Sequence, residues 1–209
     1  VELMPVYEFE EIELPKQQKL PEYIRWKEKQ TDQIRPAEKI KKVPRKVNYW
    51  GYEPGNYFAV KASYAADPLH ASREFRMLIH RLHENGMECV MEMYFPEKVN
   101  HNLILEALRY WVREYHVDGI HLVGHAPVKL LGEDPYLSRL KLLAPGWDGV
   151  EPGQEKHLAE YNDGFMMDMR SFLKGDEDQL NRLVYHIRHN PGQVGVVNYM
   201  ANTNGFTLM

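Results

Sequence analysis

Histidine is the first residue type in this 209-residue sequence to test for chemistry, because imidazoles three or four residues apart can share a cation. His121 and His125 are four apart, and His80 and His83, like His186 and His189, are three apart. A zinc site needs three or four converging ligands. The two pairs on helix-patterned segments have no third ligand near them in sequence, and His121 and His125 fall on a strand and the loop after it. Surface or hydrogen-bonded histidines are therefore expected, with no metal and no cofactor. The lone cysteine, Cys89, rules out a disulfide within the chain and sits in an apolar strand pattern, which points to a packed thiol.

The elements that must position any site alternate along the chain. Val1–Phe9 has strand character, with Pro5 marking a bend or an end. From Ser72 to Asn85, Phe75, Leu78, Ile79 and Leu82 recur at helical spacing, and Asn85-Gly86 supplies the stop. Met87–Phe95 is a near-continuous apolar run, as a strand buried on both faces of a parallel sheet requires. Leu103–Tyr115 is predicted helical, with Leu103, Ala107, Tyr110, Trp111 and Tyr115 along one stripe. Strands follow at Val117–Val123 and Leu140–Ala144, helices at Asp163–Leu173 and Asp178–His189, and a last strand at Gly195–Ala201. This alternation predicts an α/β fold with parallel strands. A barrel and a doubly wound sheet satisfy it equally. No glycine-rich phosphate loop follows the first strand, which weakens a nucleotide-binding reading.

Composition narrows the partners. The chain is 44% hydrophobic and 27% charged, with a formal net charge of -4, so nothing favours nucleic acid or an anionic membrane. No apolar run approaches the roughly 20 residues that cross a bilayer. Residues 14–46 differ from the rest: eleven Lys or Arg stand against four Asp or Glu, with four prolines. The segment is expected to be a solvated basic insertion loop, the other reading being an arm that grips an acidic partner. The sequence is expected to be an excerpt of a longer polypeptide, whose remainder would be its partner, and no cellular location is assigned.

Two stretches are unusual enough to suggest a family. Asn48-Tyr49-Trp50-Gly51-Tyr52-Glu53-Pro54-Gly55-Asn56-Tyr57-Phe58 resembles the loop after the second strand in the α-amylase superfamily, glycoside hydrolase family 13, most of all its debranching subgroup of pullulanases, isoamylases and glycogen debranching enzymes. Tyr161-Asn162-Asp163 through Gly175-Asp176 resembles the sixth region of that barrel. Val1–Val6 resembles the second strand, His83–Glu88 the approach to the third, and Tyr110–Gly119 the approach to the fourth. Lys141–Ala144 with Trp147-Asp148 resembles the fifth, and Val197–Tyr199 with Gly205–Leu208 the seventh. The resemblance covers nearly the whole chain apart from 14–46. It implies a (β/α)8 TIM-barrel, with this chain running from about strand two to strand seven and substrate lying over the C-terminal strand ends.

The same resemblance shows what is missing. Retaining glycoside cleavage needs a carboxylate nucleophile and a carboxylic acid about 5 Å apart. The family's nucleophile position, at the end of strand four, is Val123, and His121 stands where the family has arginine. Pro145 occupies the place of the general acid in strand five. Thr203 and Asn204 replace the histidine and aspartate of the seventh motif, and Glu97 replaces the third-strand histidine. Valine and proline can neither attack a sugar carbon nor donate a proton. The resemblance therefore implies a catalytically inactive barrel, a pseudoenzyme, that binds α-glucan or serves a structural or regulatory role.

The alternative is an active debranching-type hydrolase with non-standard acids, for which Glu97, Asp118, Asp148, Glu160 and Asp163 are the nearest carboxylates. Asp118 and Asp148 match non-catalytic family positions, and Glu92 matches an aspartate buried beneath the site. Tyr52 matches the tyrosine that stacks under the sugar, and Trp147 belongs to a matching motif. With Glu97, His121, Thr203 and Asn204 they form the expected substrate-binding set for α-glucan or maltooligosaccharide. Their aromatic rings serve equally well to pack the loops. A third, weaker reading is a protein-protein module gripping its partner through the basic segment.

Overall fold

The computed structural model describes residues 1–13, 46–150, 157–188 and 194–201. The chain divides into two compact units, Val1–Phe9 with Gly51–Met209, and Glu10–Trp50. Ten strands are described: β1 (Glu2–Leu3), β2 (Tyr7–Phe9), β3 (Ile12–Glu13), β4 (Lys46–Val47), β5 (Gly55–Val60), β6 (Val90–Phe95), β7 (Gly119–Gly124), β8 (Lys141–Ala144), β9 (Leu158–Tyr161) and β10 (Gly195–Val197). The described α-helices are α1 (Ala71–Glu84), α2 (His101–Tyr115), α3 (Val128–Gly132), α4 (Asp163–Lys174) and α5 (Gln179–Arg188), with short 3-10 turns at Ala62–Tyr64 and Pro68–His70. In the smaller unit β3 pairs antiparallel with β4, and Asn48 N donates to Glu11 O at 2.8 Å. Of the basic segment, 14–45 lies outside the described residues.

In the larger unit six strands form one sheet in the order β1-β6-β7-β8-β9-β10, every neighbouring pair parallel. The order never reverses, so the sheet has no switch point of the doubly wound kind. Strand alternation sorts the side chains. On β6, Met91, Met93 and Phe95 are fully buried on one face, while Glu92 and Tyr94 point to the other. On β7, Ile120 and Leu122 join the buried face, and His121 and Val123, level with Glu92 and Tyr94, join the opposite one.

That second face is concave. Glu2 on β1 accepts hydrogen bonds from His121 on β7 and from the Tyr161 hydroxyl on β9. Four strand spacings of a flat sheet would hold β1 and β9 about 19 Å apart, more than a glutamate and a tyrosine can span. The sheet must therefore curl toward these residues.

Helices α1 and α2 fasten the outer layer. Phe75 meets Trp111 edge-on at 5.7 Å and Tyr115 at 5.2 Å, and Trp111 Nε1 donates to Tyr57 O at 2.6 Å. The buried stripe of α2 is Ile104, Ala107, Leu108, Trp111 and Tyr115, displaced from the expected one: Leu103 is exposed and Tyr110 only half-buried. Pro5 does divide the first segment, and β2 leaves the parallel sheet to pair antiparallel with β5, a strand that the sequence reading treats as loop. Asn162 caps α4 by accepting from Phe165 N at 2.9 Å, and Gly175 closes it at a positive φ of 87°.

Candidate functional site

The curl encloses a cavity of about 340 Å³ on the concave face. Its floor is Glu2, Glu92 and His121; Tyr52, Tyr161 and Tyr199 stand around it, and Val123 and Pro145 close the rim. Each lies there for a reason of register. Glu92 pairs with His121, and two residues further on Tyr94 pairs with Val123, so the floor lies roughly 6–7 Å below the strand ends. The loop before β5 brings in Tyr52, whose hydroxyl donates to Glu92 Oε2 at 2.5 Å.

The floor is one connected polar network. His121 Nδ1 is 2.7 Å from Glu2 Oε1 and 3.9 Å from Glu92 Oε1. The other Glu2 oxygen accepts from Tyr161, whose ring stacks on the His121 imidazole at 4.5 Å and 24°. Tyr199 stands edge-on to Tyr161 at 5.3 Å and its hydroxyl donates to Asp163.

The two glutamates are pushed in opposite directions. Burial raises the Glu2 pKa, but hydrogen bonds from His121 and Tyr161 outweigh it and leave the carboxyl below its ordinary value. Burial also raises Glu92, and the neighbouring Glu2 charge adds to it, more than Tyr52 and His121 offset. Burial and the Glu2 carboxylate together hold the Tyr161 hydroxyl well above the usual tyrosine range.

Of the residues singled out from the sequence, Tyr52, Glu92, His121, Val123, Pro145 and Asp163 come together here. Trp147 is buried instead, its Nε1 donating to Ala159 O at 2.8 Å. Glu97 lies in the loop after β6, 3.7 Å from His125 Nε2, with both side chains well exposed. Thr203 and Asn204 lie outside the described residues. Asp118 accepts from Cys89 N and faces His83 Nε2, both at 2.8 Å. His186 pairs with Asp168. Glu2, Tyr161 and Tyr199 are cavity residues that sequence reasoning missed. The one signal for Glu2 was a lone carboxylate in the apolar run Val1–Val6.

Comparison with known proteins bears on the scaffold. No protein-family model matches the chain. Isoamylase 3, chloroplastic, of Oryza sativa subsp. japonica is 24% identical over 100% of this chain and 34% of its own length. A glycogen debranching enzyme of Klebsiella pneumoniae subsp. pneumoniae is 27% identical over 60% of this chain and 28% of its own, and isoamylase SU1, chloroplastic, of Zea mays is 22% identical over 78% and 33%. The chain thus spans about a third or less of the length of these relatives. Among solved structures, GBS pullulanase SAP in complex with maltotetraose matches with a TM-score of 0.53 at 18% identity, over 73% of this chain and 30% of that one. The homologues are debranching enzymes of glycoside hydrolase family 13, at low identity.

Proposed function

We propose that the parallel unit is strands two to seven of a (β/α)8 barrel of the debranching type, and that it binds α-glucan without cleaving it. The observation that carries this reading is the rim of the cavity: Val123 and Pro145 stand where a nucleophile and an acid would be needed. General acid-base help supplies roughly 10²–10⁴-fold and covalent catalysis a further route, and these two side chains offer neither. Tyrosine faces at 52, 161 and 199, with carboxylates beneath, suit the apolar faces and hydroxyls of pyranose rings. The relatives' names and the maltotetraose bound to the pullulanase support α-1,4- and α-1,6-linked glucose as the ligand class.

The test is twofold. Incubation of the full-length protein with pullulan, glycogen and maltooligosaccharides is expected to release no reducing sugar, while isothermal titration with maltooligosaccharides gives saturable heat. Sustained reducing-sugar release would overturn the non-catalytic reading. Absent binding would leave a structural or regulatory role for the barrel.

One observation favours the second reading, an active hydrolase with non-standard acids. Glu2 and Glu92 offer oxygens within 4.8 Å of each other, with pKa values moved apart as an acid and a base require. Their position argues for the first reading nonetheless. They converge on one imidazole below the rim and lie close enough to hydrogen-bond to each other, which leaves no space for a sugar ring between them. If this pair does catalyse, Glu92→Gln abolishes the sugar release.

A further inference from the structure

The two floor carboxylates turn one oxygen each toward the same imidazole nitrogen. His121 Nδ1 lies 2.7 Å from Glu2 Oε1 and 3.9 Å from Glu92 Oε1, and one donor atom from each of the three residues falls within 4.8 Å of the others. A tetrahedral zinc ion with bonds of about 2.0–2.2 Å holds its ligand atoms roughly 3.3–3.5 Å apart. To reach that spacing the shorter His121 distance widens by about 0.6–0.8 Å and the longer one narrows by about 0.4–0.6 Å.

We propose that Glu2, Glu92 and His121 form a binding site for a divalent first-row transition cation, Zn²⁺ being the ion that fits, with its open position facing the cavity. Two carboxylates and a neutral imidazole carry two negative charges, which a dication balances. One nitrogen and two oxygens suit zinc and its neighbours, whereas calcium takes six to eight oxygens. The oxygens not turned to His121 already have orienting partners. The Tyr161 hydroxyl donates to Glu2 Oε2 and the Tyr52 hydroxyl to Glu92 Oε2, while the Tyr161 ring stacked on His121 sets the plane of the imidazole. Such outer partners are what metal-ligating carboxylates and histidines normally have. The cavity of about 340 Å³ above leaves room for a water or a sugar hydroxyl on the ion. The site makes no use of Val123 or Pro145, so it stands whether or not the chain cleaves glucan.

The experiment is isothermal titration of chelator-stripped full-length protein with Zn²⁺ alone, followed by Co²⁺ as a visible probe of coordination. One equivalent is expected to bind, with a ligand-field band of low-symmetry Co²⁺, and Ca²⁺ gives no comparable heat. His121→Ala and Glu2→Gln weaken Zn²⁺ at least tenfold, and Tyr161→Phe about tenfold. His83→Ala and His125→Ala leave it unchanged. Glu92 is buried, so Glu92→Gln is read only where circular dichroism shows the native fold, and Glu2→Gln on the edge strand tests the carboxylate set independently. Failure to bind Zn²⁺ overturns the proposal. So does binding that His121→Ala and Glu2→Gln leave intact, or a Co²⁺ spectrum that His121→Ala does not alter. Sugar-release assays run beside it move separately, since cleavage with zinc binding intact would sink only the non-catalytic reading.

Discussion

Glu92 is the residue whose surroundings say most about this cavity. It is only 7% exposed, and its Oε2 is satisfied by the Tyr52 hydroxyl at 2.5 Å. Removing that hydroxyl strands a buried acceptor, so Tyr52→Phe should cost about 1–3 kcal/mol, read as a lower urea midpoint at unchanged slope. Tyr52→Ala loses the ring as well, and maltooligosaccharide affinity measured by titration should fall by up to about tenfold. An unchanged affinity would assign Tyr52 to loop packing. Cys89 offers a separate test. Burial raises its thiol from 9.0 to about 11, so the unfolded chain ionises first and stability falls as pH rises through that window. The loss is on the order of 2–3 kcal/mol, and Cys89→Ala should flatten the fall in urea midpoint between pH 9 and 11. Tyr52 and His121 were legible in the sequence because they sit in motif-like runs. Glu2 and Tyr161 were not, because what unites them is a hydrogen bond between residues 159 positions apart.

At the scale of elements, the legible parts were those with strong local periodicity. Helices α1, α2, α4 and α5 and the buried strands β6, β7 and β8 fall close to their expected ranges. Misses came where tertiary contacts decide. Strand β5 exists because β2 is there to pair with it, and its own sequence, Gly55–Val60, carries a glycine, an asparagine and loop-like neighbours. The stripe of α2 keeps Ala107, Trp111 and Tyr115 and buries Ile104 and Leu108 in place of Leu103 and Tyr110, with Trp111 Nε1 fastened to Tyr57 O. Trp111→Ala should destabilise by about 3–5 kcal/mol, whereas Trp111→Phe keeps an aromatic ring but loses the indole N–H and part of the ring volume, costing less, about 1–3 kcal/mol. The two urea midpoints check the order. At the end of β7, Gly124 has a φ of 83°, and an added Cβ would lie 2.4 Å from Phe95 O. Gly124→Ala is expected to cost at least about 1–2 kcal/mol from the backbone conformation alone, with β6 and β7 losing amide-exchange protection together.

For the molecule as a whole, alternating strands and helices announced an α/β fold, but local pattern could not say how the sheet curls. That is decided by strand order and by contacts along the chord of the curl. Glu2 with Tyr161 is such a chord, joining β1 to β9 across three intervening strands. A hydrogen bond to a charged group contributes about 1.5–3 kcal/mol when buried. Glu2 keeps about a third of its side chain exposed, 33%, so solvent screening brings the expectation down to about 1 kcal/mol. A double-mutant cycle of Glu2→Ala and Tyr161→Phe isolates it, since each variant alone also disturbs His121. If the chord holds the curl, the two losses fall short of additive by about that amount, and either single variant raises amide exchange at Val90, whose N–H donates to Val1 O where β1 meets β6. Additive losses, with β1 still protected, would mean that the curl is set by the helices packed outside and that Glu2 answers to the cavity alone.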